Sequence, residues 1–277
     1  MRRLLLAAAL APLAACSTVP ITGRHVLRLT SEEQEMSLGE QSYTEELKGA
    51  KLIKSGPQYE MVQRVGKAIA AAAEHIAPDP SKDFKWEVSL VDDPKTVNAW
   101  CLPGGKIAVY TGLLPVTQDE AGLAVVVGHE VGHAVARHGG ERMSQSLLVE
   151  LGLNVASASM TDMSPAQKDS VMTALAGVGT YGVLNPFSRE QEAEADELGL
   201  YMAAYAGYDP HAAIGLWTRM GQMGGKTPPE LLSTHPSDEH RLENMKKLMP
   251  KAMEQYEAGQ KERAGGGAKK TPQMFSP

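Results

Sequence analysis

Cysteine is nearly absent: Cys16 and Cys101 are the only two in 277 residues, so no disulfide framework holds the fold. Basic excess is missing too. With 27 Lys and Arg against 33 Asp and Glu, the net charge is −6. That balance lacks the positive footprint that phosphate neutralisation requires, and nucleic acid is not an expected partner. Beyond the first residues no stretch reaches about 18 uninterrupted apolar residues, so no spanning helix is expected. No repeat of solenoid period occurs, so an appended helical-repeat module is not supported. What is present, 43% hydrophobic and 22% charged residues, suffices for one globular domain with tails.

Arg2 and Arg3 followed by the apolar stretch Leu4 to Pro12 read as an export signal covering residues 1–15. Leu13-Ala14-Ala15-Cys16 then looks like a bacterial lipobox. This resemblance implies cleavage before Cys16 and lipidation of that residue, with residues 16–30 as a tether. With Ser17 next, it places the mature protein on the periplasmic side of the bacterial outer membrane. Cys101 is left without an intramolecular partner and, between Trp100 and Leu102, reads as a buried inert thiol.

Ser31-Glu32-Glu33-Gln34 is a capping box opening a helix towards Leu47, and a second helix follows Pro57 through Val62, Val65 and Ile69. Alternation at Phe84, Trp86, Val88 and Leu90 predicts a half-buried strand. Residues 106–111 predict another after the turn Pro103-Gly104-Gly105, giving a small antiparallel sheet. Thr117, with Glu120 as box partner, opens a helix expected to run to Arg137 and stop at Gly139-Gly140. Residues 141–184 read as a helical hairpin. Ser188 with Gln191 caps a helix ending at Gly207, Asp209-Pro210 opens another, and a last one begins near Ser237. The folded domain is set at 31–258, with 259–277 a disordered tail.

The chemistry lies in His129-Glu130-Val131-Gly132-His133. Histidines four apart on a helix share a face and can bind one cation, while Glu130, about 100° round from His129, can reach a water there without ligating. The apolar run Leu123 to Val127 leads into the motif and argues against an exposed helix carrying two idle histidines. A catalytic zinc wants a third protein ligand. Glu192 and Asp196 offer two carboxylates on one helical face, Glu192 to ligate and Asp196 to orient a ligand imidazole. On the same helical wheel His138 falls about 180° from His129 and faces away. His25, His75, His211 and His240 have no matching partners and read as surface or structural.

Taken with Asn98-Ala99-Trp100, Pro103-Gly104-Gly105, Ser188-Arg189 and His235-Pro236 followed by Arg241, these motifs resemble the M48 family of gluzincin metallopeptidases, in its small periplasmic lipoprotein form. The resemblance implies an α+β, mostly helical, zincin-like fold whose sheet edge flanks the active-site helix. It implies one zinc per chain on His129, His133 and Glu192, rather than Glu194, and an extended substrate along Asn98, Ala99, Gly104 and Gly105. His235 is expected to donate to the oxyanion with help from Arg241, or to close the metal's open position. The expected activity is cleavage of unfolded or misfolded envelope polypeptides, with Glu130 as base. Two rivals are a lipid-anchored chaperone or assembly factor with a structural zinc, and a purely structural envelope lipoprotein.

Overall fold

The computed structural model describes residues 16–19, 21–160, 163–165, 167–169, 171, 187–223, 230–235 and 240–265. Helices dominate: α1 (Glu32–Glu46), α2 (Pro57–Ile76), α3 (Glu120–Val135), α4 (His138–Ser159), α5 (Arg189–Ala206), α6 (Ala212–Gln222), α7 (Glu230–Thr234) and α8 (Arg241–Ala264). They accompany a hairpin of β1 (Cys16–Thr18) with β2 (His25–Leu27) and a sheet of β3 (Leu52–Ile53), β4 (Glu87–Val91), β5 (Ala99–Leu102) and β6 (Lys106–Tyr110).

Local chemistry explains the element boundaries. Ser31 and Ser188 both make full capping boxes, with Gln34 and Gln191 returning to the cap backbone. Gly207 closes α5 in the left-handed region at φ 102°, where a Cβ would be strained. The cap of α3 is Asp119, whose side chain accepts from the Gly122 amide, and not Thr117. Thr117 ends a short preceding helix and donates its hydroxyl to the Leu114 carbonyl.

Sheet order is β3-β4-β6-β5, with antiparallel pairs at both edges and a parallel pair, β4 with β6, at the centre. The expected strands are present, but their mutual direction differs from the antiparallel expectation because β5 lies between them in sequence and outside them in space. β5 is an edge strand and packs on α3. α2 covers β4, and α3 runs through the core with every residue from Gly122 to Val135 buried.

Two glycines set how closely the central helices meet. A Cβ at Gly199 would lie 2.5 Å from the His129 amide nitrogen, and one at Gly128 would lie 2.6 Å from the Gly199 carbonyl. α3 and α5 therefore touch backbone to backbone. This approach carries the α5 carboxylates to the α3 histidines.

Three expected boundaries shift. The stretch 16–30 is not a loose tether: it forms the β1–β2 hairpin, with Val19 and Val26 buried in the core. α8 continues through the expected tail boundary to Ala264. α3 ends at Val135, because Arg137 takes a left-handed backbone at φ 59° and starts a new direction for α4. That uncommon conformation is held by the Arg137 guanidinium, which donates to both Glu35 oxygens, to Glu32 and to the Thr30 carbonyl. Residues 1–15, most of the second half of the 141–184 hairpin, Pro236, Ser237 and residues 266–277 lie outside the described residues. No described helix is long and apolar enough to cross a membrane.

Candidate metal centre

α3 presents His129 and His133 to one side, α5 brings Glu192 across the glycine contact, and the end of α7 delivers His235. One donor atom from each of these four residues lies within 4.8 Å of all the others, and all four residues are buried. His129 Nε2 stands 3.2 Å from His133 Nε2 and from His235 Nδ1. Glu192 Oε1 is 2.8 Å from His235 Nδ1 and 3.4 Å from His133 Nε2. Its other oxygen, Oε2, is buried without a hydrogen-bond partner. A buried carboxylate oxygen without a partner, facing three imidazoles, is the donor chemistry of a transition-metal site, and the residues fit a divalent cation such as zinc.

The electrostatics agree. Burial opposes ionisation of Glu192, yet hydrogen bonds from His129, His133 and His235 hold its carboxyl far below the usual range. Burial and Arg241 oppose a proton on His129, but Asp196 and Glu192 outweigh them and draw it up to about 9. A negative potential that favours a proton there also favours a metal cation. Burial pushes His133 well below its ordinary value. Burial also raises the Glu130 carboxyl, whose Oε1 has no hydrogen-bond partner and lies 3.6 Å from His235 Nε2. Burial that favours the neutral acid makes this carboxylate a stronger base than an exposed one.

Asp196 Oδ1 accepts from His129 Nδ1 at 2.8 Å, which leaves Nε2 free to ligate. Arg241 donates to the same oxygen at 2.6 Å and approaches Glu192 Oε2 at 3.4 Å, with its guanidinium 3.4 Å above the centre of the Trp217 ring. Arg241 therefore secures the two α5 carboxylates from behind. Phe187 stacks against His133 and His235 at 4.1 and 5.2 Å between ring centres and forms an apolar wall.

Asn98 and Ala99 are buried at the start of the edge strand, and Gly104 and Gly105 form the β5–β6 turn with left-handed backbones. Cys101 is half-buried, and its thiol is pushed up by burial and by Glu130, which fits an inert group. His25, His75, His211 and His240 are exposed.

His138 overturns the helical-wheel expectation. It does not face away: its Nδ1 is 2.8 Å from His133 Nδ1 and its Nε2 is 3.1 Å from Glu194 Oε2, fully buried. The wheel assumed a continuous helix, and the left-handed Arg137 breaks it one residue before His138. Gly139-Gly140 signals a break nearby, but the break itself lies at Arg137. Trp217 and Phe187 carried no sequence signal of their own.

A sequence model of peptidase family M48 matches residues 58–249. The chain is 36% identical over 241 residues to a protein named mitochondrial metalloendopeptidase OMA1 from Schizosaccharomyces pombe, covering 84% of this chain and 66% of that one. It is 31% identical over 252 residues to the protein of the same name from Saccharomyces cerevisiae, covering 86% and 70%. With the beta-barrel assembly-enhancing protease of Escherichia coli it shares 27% over 230 residues, covering 81% and 46%. The chain thus spans between 46% and 70% of the length of these three relatives. These findings correct the expected location. The relatives of higher identity are mitochondrial, so the periplasmic face of a bacterial outer membrane does not stand. A short apolar leader ending in one cysteine is a weak address against similarity over most of the chain.

Proposed function

The chain belongs to peptidase family M48, and from that premise we propose that it is a zinc-dependent endopeptidase acting on extended segments of unfolded or misassembled polypeptides. One observation carries the reading: Glu130 offers a buried carboxylate oxygen without a partner beside the four-donor cluster. A site that served only to hold the fold together needs no base.

His129, His133 and Glu192 would hold the cation. Zinc supplies Lewis acidity, lowering the pKa of water towards 7 and polarising a peptide carbonyl. Glu130, raised by burial, accepts the proton of the attacking water and hands it to the leaving amine. Asp196 and Arg241 keep His129 and Glu192 in place. Among the described residues no strand pairs with the outer edge of β5, so a peptide adding there gains main-chain hydrogen bonds with little dependence on sequence. The E. coli relative's name ties that protein to β-barrel assembly, which makes misassembled envelope polypeptides one substrate class to test. The first test uses casein. The purified chain is expected to cleave it with one zinc bound per chain, to lose cleavage under chelation and to regain it with added zinc. Stoichiometric zinc without cleavage would instead identify a binding or assembly factor.

A second reading rests on His235 standing as a fourth donor, since four protein donors close a zinc site and three leave it open. The Leu231 amide of α7 donates to the Val97 carbonyl just before β5, so the arm carrying His235 is tied to the strand where substrate would add. On this reading His235 holds the site latent until peptide binds. His235→Ala then raises casein cleavage several-fold. A loss of about 10-fold or more makes His235 an oxyanion donor, and no change removes both roles.

A further inference from the structure

The two ligand histidines are held by different devices. His129 Nδ1 reaches a carboxylate directly, at Asp196, whose oxygen Arg241 clamps. His133 reaches one only through a second imidazole. Its Nε2 faces the donor cluster, so its Nδ1 must carry the proton, and the atom 2.8 Å away is Nδ1 of His138. That nitrogen must therefore accept. The proton of His138 then sits on Nε2 and is donated to Glu194 Oε2 at 3.1 Å. No other neutral tautomer pair satisfies both contacts.

Glu194 is fixed in turn by the N-terminal hairpin. Thr22 Oγ1 donates to it at 2.6 Å and Arg24 Nε at 2.8 Å, while the two terminal nitrogens of Arg24 grip Glu141 at 3.0 and 2.8 Å. Thr22 and Arg24 sit in the connection between β1 and β2, ahead of residues 58–249 that match the family. Glu194, the α5 carboxylate not needed as a ligand, thus has a partner on each side of it.

We infer that His138, Glu194 and Arg24 form a relay of hydrogen bonds that sets the tautomer and ring orientation of His133, making the N-terminal hairpin a working part of the metal centre. His138 and Glu194 are positioning residues. They touch neither substrate nor cation, and they act by keeping the Nε2 lone pair of His133 aimed into the cluster and by strengthening it through the terminal carboxylate. Undocking the hairpin would leave Glu194 without its clamp, so metal retention and hairpin docking are coupled.

The inference rests on the reading of His129, His133 and Glu192 as metal ligands, and the test separates the two. Zinc affinity is measured by chelator competition on the full chain and on Arg24→Ala, Arg24→Lys, Glu194→Gln and His138→Leu. Gly66→Ala serves as a destabilised control that crowds Val88 and touches no relay member. Wild type binds one zinc. Glu194→Gln, Arg24→Ala and His138→Leu lose about 10- to 100-fold in affinity, Arg24→Lys loses less, and Gly66→Ala loses melting temperature but not affinity. In ¹⁵N-histidine spectra of the zinc form, His133 carries its proton on Nδ1 in wild type, and that signal broadens or shifts in His138→Leu. No zinc on the wild-type protein overturns the ligand reading. Zinc on the wild type with relay variants within twofold of it, or with losses matched by Gly66→Ala, overturns the relay. Should Arg24→Ala not fold, Arg24→Lys decides by the same comparison.

Discussion

Glu130→Gln is expected to lower casein cleavage by roughly 10²- to 10⁴-fold while the protein keeps one zinc per chain. The amide has the shape of the carboxylate but cannot take a proton, and Glu130 is not needed to complete the donor cluster. The same substitution has a stability signature. Burial raises the folded-state pKa of Glu130 above its unfolded value, so the charged carboxylate costs the fold stability once pH climbs past the unfolded value near 4.5. In chelated protein, Glu130→Gln should therefore melt above wild type at pH 7, and the gap should narrow towards pH 4. A variant that loses zinc along with activity would make Glu130 a structural member of the site. One that retains full activity would remove it from the chemistry.

Much of this site is legible in the sequence, because its parts are local patterns. The i, i+4 histidines, the i, i+4 carboxylates and the Ser188 capping box that orients the second pair are each decided within a few residues. His235 was reachable because a histidine before a proline at the edge of a helix is a compact signal. The relay was not. His138 was misplaced because one residue, Arg137, leaves the helical region, and what holds it there is Glu32, Glu35 and Thr30, about a hundred residues earlier. Glu194 enters the sequence reading only as the carboxylate that does not ligate, and its partners Thr22 and Arg24 lie in the stretch expected to be a tether. The sheet shows the same limit: β4 is visible by alternation and β6 from the turn before it, but β3 and β5 carry no such pattern, and the order β3-β4-β6-β5 is a non-local property, as is the parallel pairing of β4 with β6. Asp119 capping α3 in place of Thr117 is a smaller case, in which two adjacent caps compete and a shared turn decides.

Glu192→Gln should have the largest effect on the metal. The carboxylate faces His129 Nε2 at 3.5 Å with Oε2 and His133 Nε2 at 3.4 Å with Oε1. Its charge is the nearest compensation a divalent cation would find among the four donors, the other three being neutral imidazoles when they ligate. The neutral amide is a poor ligand and leaves the cation's charge uncompensated in a buried site, where that imbalance is costly. Zinc affinity should fall by more than the roughly 10- to 100-fold expected for Asp196→Asn, which only frees the far side of His129. Cleavage should fall by about 10³-fold or more, since losing the Lewis acid forfeits several kcal/mol of transition-state stabilisation. The ranking decides the assignment. If Asp196→Asn proved the more damaging, or if Glu192→Gln kept its zinc while His235→Ala lost it, then His235 would be the third ligand and Glu192 its orienting partner, and the open position would have to be sought where Glu192 now stands.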